Sequence, residues 1–158
     1  MKNVGIVYNA RVPEALDLSS AIYHQLALSG ESWLAPAEDL SALRQRSAGT
    51  DVIITVGGDG TILRAVQVAA PLGIHMVGIN MGRLGFMTEL QVDEALTKLP
   101  TYFDGEMRLE ERCMLQATVM RSNGNGTPKQ EGPYHALNDV VMARGSVSRV
   151  VTIAGRID

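Results

Sequence analysis

Val52-Ile53-Ile54-Thr55-Val56 runs without interruption into Gly57-Gly58-Asp59-Gly60-Thr61. The first five residues are all β-branched and nearly all apolar, the pattern of a central strand covered on both faces. Behind the glycines, Ile62, Leu63, Val66, Ala69 and Ala70 mark one face of a helix, with Arg64 and Gln67 off it, and Pro71 marks its end. A two-face-buried strand that turns through glycines into an amphipathic helix predicts a parallel α/β sheet, with helices covering it.

The neighbouring segments agree with that expectation. Residues 4–8 are a short apolar run suited to a buried strand, and Pro13-Glu14-Ala15 opens a helix. Leu18, Ile22 and Leu26 continue that helix, with Ala15 and Ala21 beside them, toward an end near Gly30. Residues 33–35 predict a second short strand and residues 39–46 a short polar helix. Residues 74–80 predict another buried strand, and Val92, Ala95, Leu96 and Leu99 a further helix closed by Pro100. At Asp104-Gly105 the pattern changes. Leu115, Ala117 and Val119 alternate with Gln116, Thr118 and Met120, a strand period. Residues 121–133, with Asn123-Gly124-Asn125-Gly126, read as a polar loop, and residues 134–144 and 147–157 resume the β pattern. The expected organisation is an open α/β domain over 1–103, then the start of an all-β domain over 104–158 that is still incomplete at Asp158.

Composition narrows the function classes. Of the 158 residues, 46% are hydrophobic and 20% charged, which fits a globular chain and excludes disorder throughout. No run approaches the roughly 18 apolar residues of a membrane helix, so no membrane partner is expected. The apolar run behind Lys2 is too short for a secretory leader, which makes the expected compartment cytoplasmic. One cysteine, Cys113, excludes an internal disulfide framework and reads as a small hydrophobe in a strand. A net charge of −3 argues against a nucleic-acid partner, but a local cluster of donors can still bind a phosphorylated ligand. His24, His75 and His135 lack metal-ligand spacing and read as structural.

The chemistry concentrates in the glycine turn. Glycines let backbone N–H groups approach a phosphate closely, aided by the positive end of the following helix. The spacing is neither the dinucleotide fingerprint nor a Walker A loop, since no lysine follows. Asp59 is the informative residue. A carboxylate among phosphate-cradling amides repels an anion, so its presence calls for a chemical task, such as accepting the proton of an attacking hydroxyl in phosphoryl transfer. Its plainer role is that of a helix N-cap.

Gly57-Gly58-Asp59-Gly60-Thr61 resembles the motif shared by NAD kinases, diacylglycerol and sphingosine kinases, and phosphofructokinases. Gly78-Ile79-Asn80-Met81-Gly82-Arg83-Leu84-Gly85-Phe86-Met87-Thr88-Glu89 resembles the NAD kinase signature and not that of the lipid kinases. Asn138-Asp139, followed by Arg144-Gly145 and Ser148-Arg149-Val150, is similar to that family's Asn-Glu motif and the arginine-rich strand after it. The resemblance implies a Rossmann-like, phosphofructokinase-like N-terminal domain followed by a β domain. It implies transfer of a terminal phosphoryl from ATP, or inorganic polyphosphate, to the ribose 2′-hydroxyl of NAD, with a divalent metal such as magnesium accompanying the donor. Asp59 matches the proton acceptor, and Gly57, Gly58, Gly60 and Thr61 the rest of the nucleotide-binding turn. Arg64 and Arg149 match NAD contacts, Phe86 an aromatic packed on the dinucleotide, and Asn138 and Asp139 the ribose-binding pair. A homo-oligomer built through the β domain is also implied.

Alone, these residues have plain roles: a solvated Arg64, a core Phe86, a loop cation at Arg83. A regular strand would send Asn138 and Asp139 to opposite faces, so one ribose meets both only if the strand twists or bulges. Two departures from the family pattern stand out. Asp139 occupies the usual glutamate position, and the later Thr/Gly/Ser-Thr-Ala-Tyr segment does not occur before Asp158. The 158 residues by themselves are therefore expected to lack turnover and to self-associate through residues 147–157. The competing readings are a lipid kinase sharing the glycine turn and a nucleotide-binding fragment without turnover.

Overall fold

The structure, a computed structural model, describes residues 3–28, 30–82, 85, 87–105, 107–122, 128–143 and 154–156. It divides into two compact units, Met1–Arg112 and Cys113–Asp158. The first unit begins with β1 (Val4–Tyr8) and α1 (Pro13–Gln25), where Pro13 supplies a preset φ at the first helical turn. The helix ends well before Gly30. Ala27 adopts a left-handed φ of 46°, and the N–H groups of Ala27 and Leu28 return to the carbonyls of His24 and Tyr23. This is a Schellman closure made by an alanine, which is why a search for glycine places the end too late.

β2 (Trp33–Pro36) leads to α2 (Leu40–Arg46), capped by the Asp39 carboxylate, which accepts the Ala42 N–H at 2.9 Å. β3 (Val52–Gly57) and α3 (Asp59–Ala69) follow, then a turn of 3-10 helix over Ala70–Leu72 and β4 (His75–Asn80). The unit closes with β5 (Leu90–Gln91) and α4 (Val92–Phe103). The five strands form one parallel sheet in the order β2-β1-β3-β4-β5, with Ile54 opposite both Ile6 and Val77.

Every residue of β3 is buried, because the sheet is covered twice. Val52, Ile54 and Val56 face Ala15 and Ile22 of α1 and Ala95 and Leu99 of α4. Ile53 faces the opposite layer, where Leu43 of α2 and Ala65, Val68 and Ala69 of α3 pack. The expected α/β architecture is thus present, but the buried stripe of α3 differs from the expected one. Thr61, Ile62, Ala65, Val66, Val68 and Ala69 are buried, whereas Leu63 is 36% exposed and Ala70 faces solvent. Small Ala65 lets the helix lie close to the sheet, and that choice rotates Leu63 outward.

Pro100 does not close α4, which continues to Phe103. A proline inside a helix leaves the carbonyl four residues earlier without its N–H donor. Here that carbonyl belongs to Leu96, and the Gln25 side chain from the end of α1 donates to it at 2.5 Å. At its other end, α4 carries a capping box in which Gln91 and Glu94 satisfy each other's backbone N–H groups. None of the described helices is long and apolar enough to cross a membrane.

The second unit contains β6 (Leu115–Arg121) and β7 (Lys129–Ala136), an antiparallel pair with a register shift between Ala117 and Val119. Residues 129–133, expected in the polar loop, belong to β7 instead, with Lys129, Gln130 and Glu131 opposite Arg121, Met120 and Val119. Residues 137–143 are not strand, contrary to the expected β segment over 134–144. Cys113 is exposed and precedes β6, so it is not the strand hydrophobe that the sequence suggested. The expected strand over 147–157 falls mostly outside the described residues.

Gln25→Ala should lower folding stability by about 0.5–1.5 kcal/mol, the usual net worth of one hydrogen bond. In a Pro100→Ala background residue 100 donates to Leu96 itself, so the same change should cost close to nothing. Urea melts of the four proteins complete the cycle, and equal losses in both backgrounds would detach Gln25 from the proline.

Candidate functional site

β2 lies on one side of β1 and β3 on the other, so the winding of the sheet reverses between β1 and β3. Open α/β sheets bind ligands outside the carboxyl ends of their strands at such a switch point. Three connections meet at this end of the first unit. They are Asn9-Ala10-Arg11 after β1, the glycine turn after β3, and the segment that follows β4. Backbone hydrogen bonds tie them together: the Asn9 N–H donates to the Val56 carbonyl and the Met81 N–H to the Gly57 carbonyl, each at 2.9 Å.

Within the glycine turn, Gly58 is the N-cap of α3 with an extended backbone, and Asp59 is the first helical residue. The N-cap role considered for Asp59 is therefore displaced by one position. Its carboxylate instead accepts the Met87 N–H at 3.2 Å, from the connection after β4. The two glycines do different work. A Cβ on Gly57 would overlap the Thr61 hydroxyl, whereas one on Gly58 meets no described atom within 4 Å. Gly57 permits packing; Gly58 leaves an open approach to the amides of the first turn. Arg64, one turn along α3, folds back so that its guanidinium donates to the Gly60 carbonyl at 3.2 Å.

The segment after β4 is held in place by its own polar groups. Asn80 is 2% exposed, and its side chain both accepts the Gly82 N–H and donates to the Gly82 carbonyl. At the far end, Glu89 grips Gly78 twice: its backbone N–H donates to the Gly78 carbonyl at 3.0 Å, and its carboxylate accepts the Gly78 N–H at 2.5 Å. Burial of that carboxyl end pushes Glu89 above the ordinary carboxyl value of 4.5, and the Gly78 N–H offsets this only in part. Close packing here requires missing side chains. A Cβ on Gly85 would fall 2.6 Å from Asp59 Oδ1 and 3.1 Å from Thr88 Oγ1.

The structure thus joins, within one unit, Gly57 through Thr61, Arg64 and the described part of residues 78–89. Phe86 and Arg149 lie outside the described residues, as do Arg83 and Arg144. Asn138 and Asp139 belong to the second unit, both exposed, in non-strand chain beyond β7, so the opposite-face argument does not apply to them. Among the described residues no three histidine, cysteine or carboxylate side chains converge to hold a metal ion. Asn9 and Glu89 were not singled out from the sequence. The signal for Asn9 was a turn residue directly after a buried parallel strand; Glu89 closed the quoted 78–89 segment, but nothing in the sequence gave its side chain a role of its own.

Gly57→Ala should cost about 1–3 kcal/mol, because the methyl must displace Thr61. Gly58→Ala should cost under about 1 kcal/mol, the loss of a favoured N-cap residue. Denaturation midpoints compare the two, and the reverse order would contradict the packing. Because the folded state holds the Glu89 proton more tightly than the unfolded state, its contribution to stability declines as pH rises from 4.5 through the raised value. Glu89→Gln should therefore gain stability relative to the native chain over that window, read from urea midpoints at stepped pH.

The family model for the ATP-NAD kinase N-terminal domain matches residues 27–107. The NAD kinase of Heliobacterium modesticaldum is 34% identical over 165 residues, covering 99% of this chain and 56% of that protein. The NAD kinase of Symbiobacterium thermophilum is 39% identical over 160 residues, covering 96% and 55% respectively. The chain spans about half the length of these curated relatives. Among solved structures, yeast NADH kinase complexed with NADH superposes with a TM-score of 0.66 at 18% identity, over 87% of this chain and 47% of that one, a likeness of fold.

Proposed function

Because the chain belongs to the ATP-NAD kinase family, we propose that it takes part in phosphorylating the adenosine ribose 2′-hydroxyl of NAD to give NADP. The observation that carries this reading is the place of Asp59. It is a carboxylate at the first position of α3, in a glycine turn at the switch point, held by the N–H of Met87. The 2′-oxygen attacks the terminal phosphorus of ATP, the bond from that phosphorus to the bridging oxygen breaks, and ADP leaves. The hydroxyl proton passes to Asp59. Inorganic polyphosphate serves the same step, leaving a shorter polyphosphate.

The amides of the glycine turn and the positive end of α3 hold phosphate oxygens, with Gly57, Gly58, Gly60 and Thr61 shaping the approach. Arg64, beside Gly60, is placed to contact NAD. Phe86 packs on the dinucleotide, Asn138 and Asp139 bind ribose hydroxyls, and Arg149 adds a further NAD contact. A divalent metal such as magnesium, brought with the donor and not held by the described residues, would supply charge neutralisation at the phosphate oxygens. In this reading residues 1–103 are the nucleotide-handling α/β domain and residues 104–158 the beginning of a β domain. The protein works in the cytoplasm as a homo-oligomer. The lipid-kinase alternative loses its support, since the family model and the relatives above are those of NAD kinases.

Turnover is best measured on the chain joined to the C-terminal half of the Symbiobacterium thermophilum relative. Asp59→Asn should lower kcat at least about a hundredfold, the lower end expected for losing a general base. Nucleotide affinity should change little, because the amide is nearly isosteric and still accepts the Met87 N–H. Near-normal turnover in that variant would remove Asp59 from the base role. Lipid phosphorylation without NADP formation would select the lipid kinase.

A further inference from the structure

Asp59 receives its described contact from Met87, and Met87 is two residues from Glu89, the residue that fastens this segment to the sheet. β5 is only two residues long, with Leu90 opposite Ile79 and Gln91 opposite Asn80. Beyond that short ladder, Glu89 extends the connection to β4 by one step. Its backbone N–H meets the Gly78 carbonyl, and its carboxylate takes the Gly78 N–H that a longer strand would have paired. The side chain substitutes for a missing strand residue.

Three further features lead toward Asp59. Gly78 and Gly85 each lack the Cβ that would strike this segment or its target. At Gly78 it would fall 3.0 Å from Glu89 Oε2 and 3.2 Å from Thr88 Cα, and at Gly85 it would fall 2.6 Å from Asp59 Oδ1. Among the described residues, the Thr88 hydroxyl is buried without a hydrogen-bond partner. Leaving such a group unpaired is unfavourable, so Thr88 does not by itself favour this arrangement of the segment. The grip on Gly78 helps to hold its far end, beside the short β4–β5 ladder. Partial desolvation of the gripping oxygen raises the Glu89 carboxyl, although the residue as a whole is exposed.

We propose that Glu89 is a positioning residue for Asp59: by clamping Gly78 it fixes the segment that presents the Met87 N–H to the Asp59 carboxylate. The proposal rests on the phosphotransfer reading for its consequence, but not for its geometry. Glu89 touches no reacting atom. It sets where the proton-accepting oxygen lies, and displacements of about 1 Å at such a group reduce turnover by up to about a hundredfold.

The test uses amide hydrogen exchange in the 158-residue chain, with Asp59→Ala setting the scale for a Met87 N–H that has lost its acceptor. Glu89→Ala should speed exchange at Met87 by at least about tenfold while the core amides of β3 stay protected. Glu89→Asp, one methylene short of Gly78, should do the same in a gentler background if the alanine variant unfolds. Glu89→Gln keeps an oxygen acceptor and should restore the native rate. Unchanged Met87 exchange in the folded Glu89→Asp variant, or a glutamine variant that behaves like alanine, would overturn the clamp. In the NADP assay above, Glu89→Ala should lower kcat about tenfold or more with the KM for NAD within about threefold, a loss confined to the transition state. The exchange pattern without any NADP formation by the joined protein carrying native Glu89 and Asp59 would leave the clamp standing and reject the phosphotransfer reading.

Discussion

The site depends on β3 being hydrogen-bonded on both edges and covered on both faces. Six consecutive buried residues, Val52 through Gly57, pair with β1 on one side and β4 on the other. Parallel pairing makes the three strands end at the same level, so the connections after β1, β3 and β4 converge without any long loop having to fold over the sheet. Truncating a core residue such as Ile54 would cost about 2–5 kcal/mol. That is a large part of a small domain's margin, and the convergence would be lost with it.

At that convergence, absent side chains matter as much as present ones. Gly57 leaves room for Thr61, Gly78 for the Glu89 carboxylate, and Gly85 for the carboxylate of Asp59. None of these three needs a left-handed backbone; each is required by the space it does not occupy. The result is a carboxylate placed beside backbone amides, a combination that repels phosphate at rest and suits a step in which a hydroxyl gives up a proton.

Pro100 and Gln25 illustrate a different dependence. The proline removes one helical donor at Leu96, and a side chain 71 residues earlier in the chain supplies it. The helix therefore continues past a residue that ordinarily ends one, and Leu99 and Phe103 stay on its packed face. A similar compensation occurs at the end of α1, where Ala27 accepts a left-handed φ because two returning hydrogen bonds hold it there.

Local pattern determined much of this chain. The β-branched run before Gly57, the apolar run over β1 and the amphipathic stretches of α1 and α4 are periodicities that each segment carries within itself. The order of β1 to β4 with α1 to α4, and the three motifs, could be read without coordinates, but the two-residue β5 could not. Tertiary structure decided what depends on partners distant in sequence. It set which face of α3 is buried, since Ala65 packs closely and Leu63 turns out, and it let α4 run through Pro100. It paired residues 129–131 with β6, where turn-rich composition suggested a loop. Above all it brought Gly85 and Met87 to Asp59 and Glu89 to Gly78. Hydrogen bonds and excluded volume between residues 28 positions apart at Met87 and Asp59, and 11 apart at Glu89 and Gly78, leave no periodic trace, so the role of the Glu89 side chain showed only once the sheet placed Gly78 beside it.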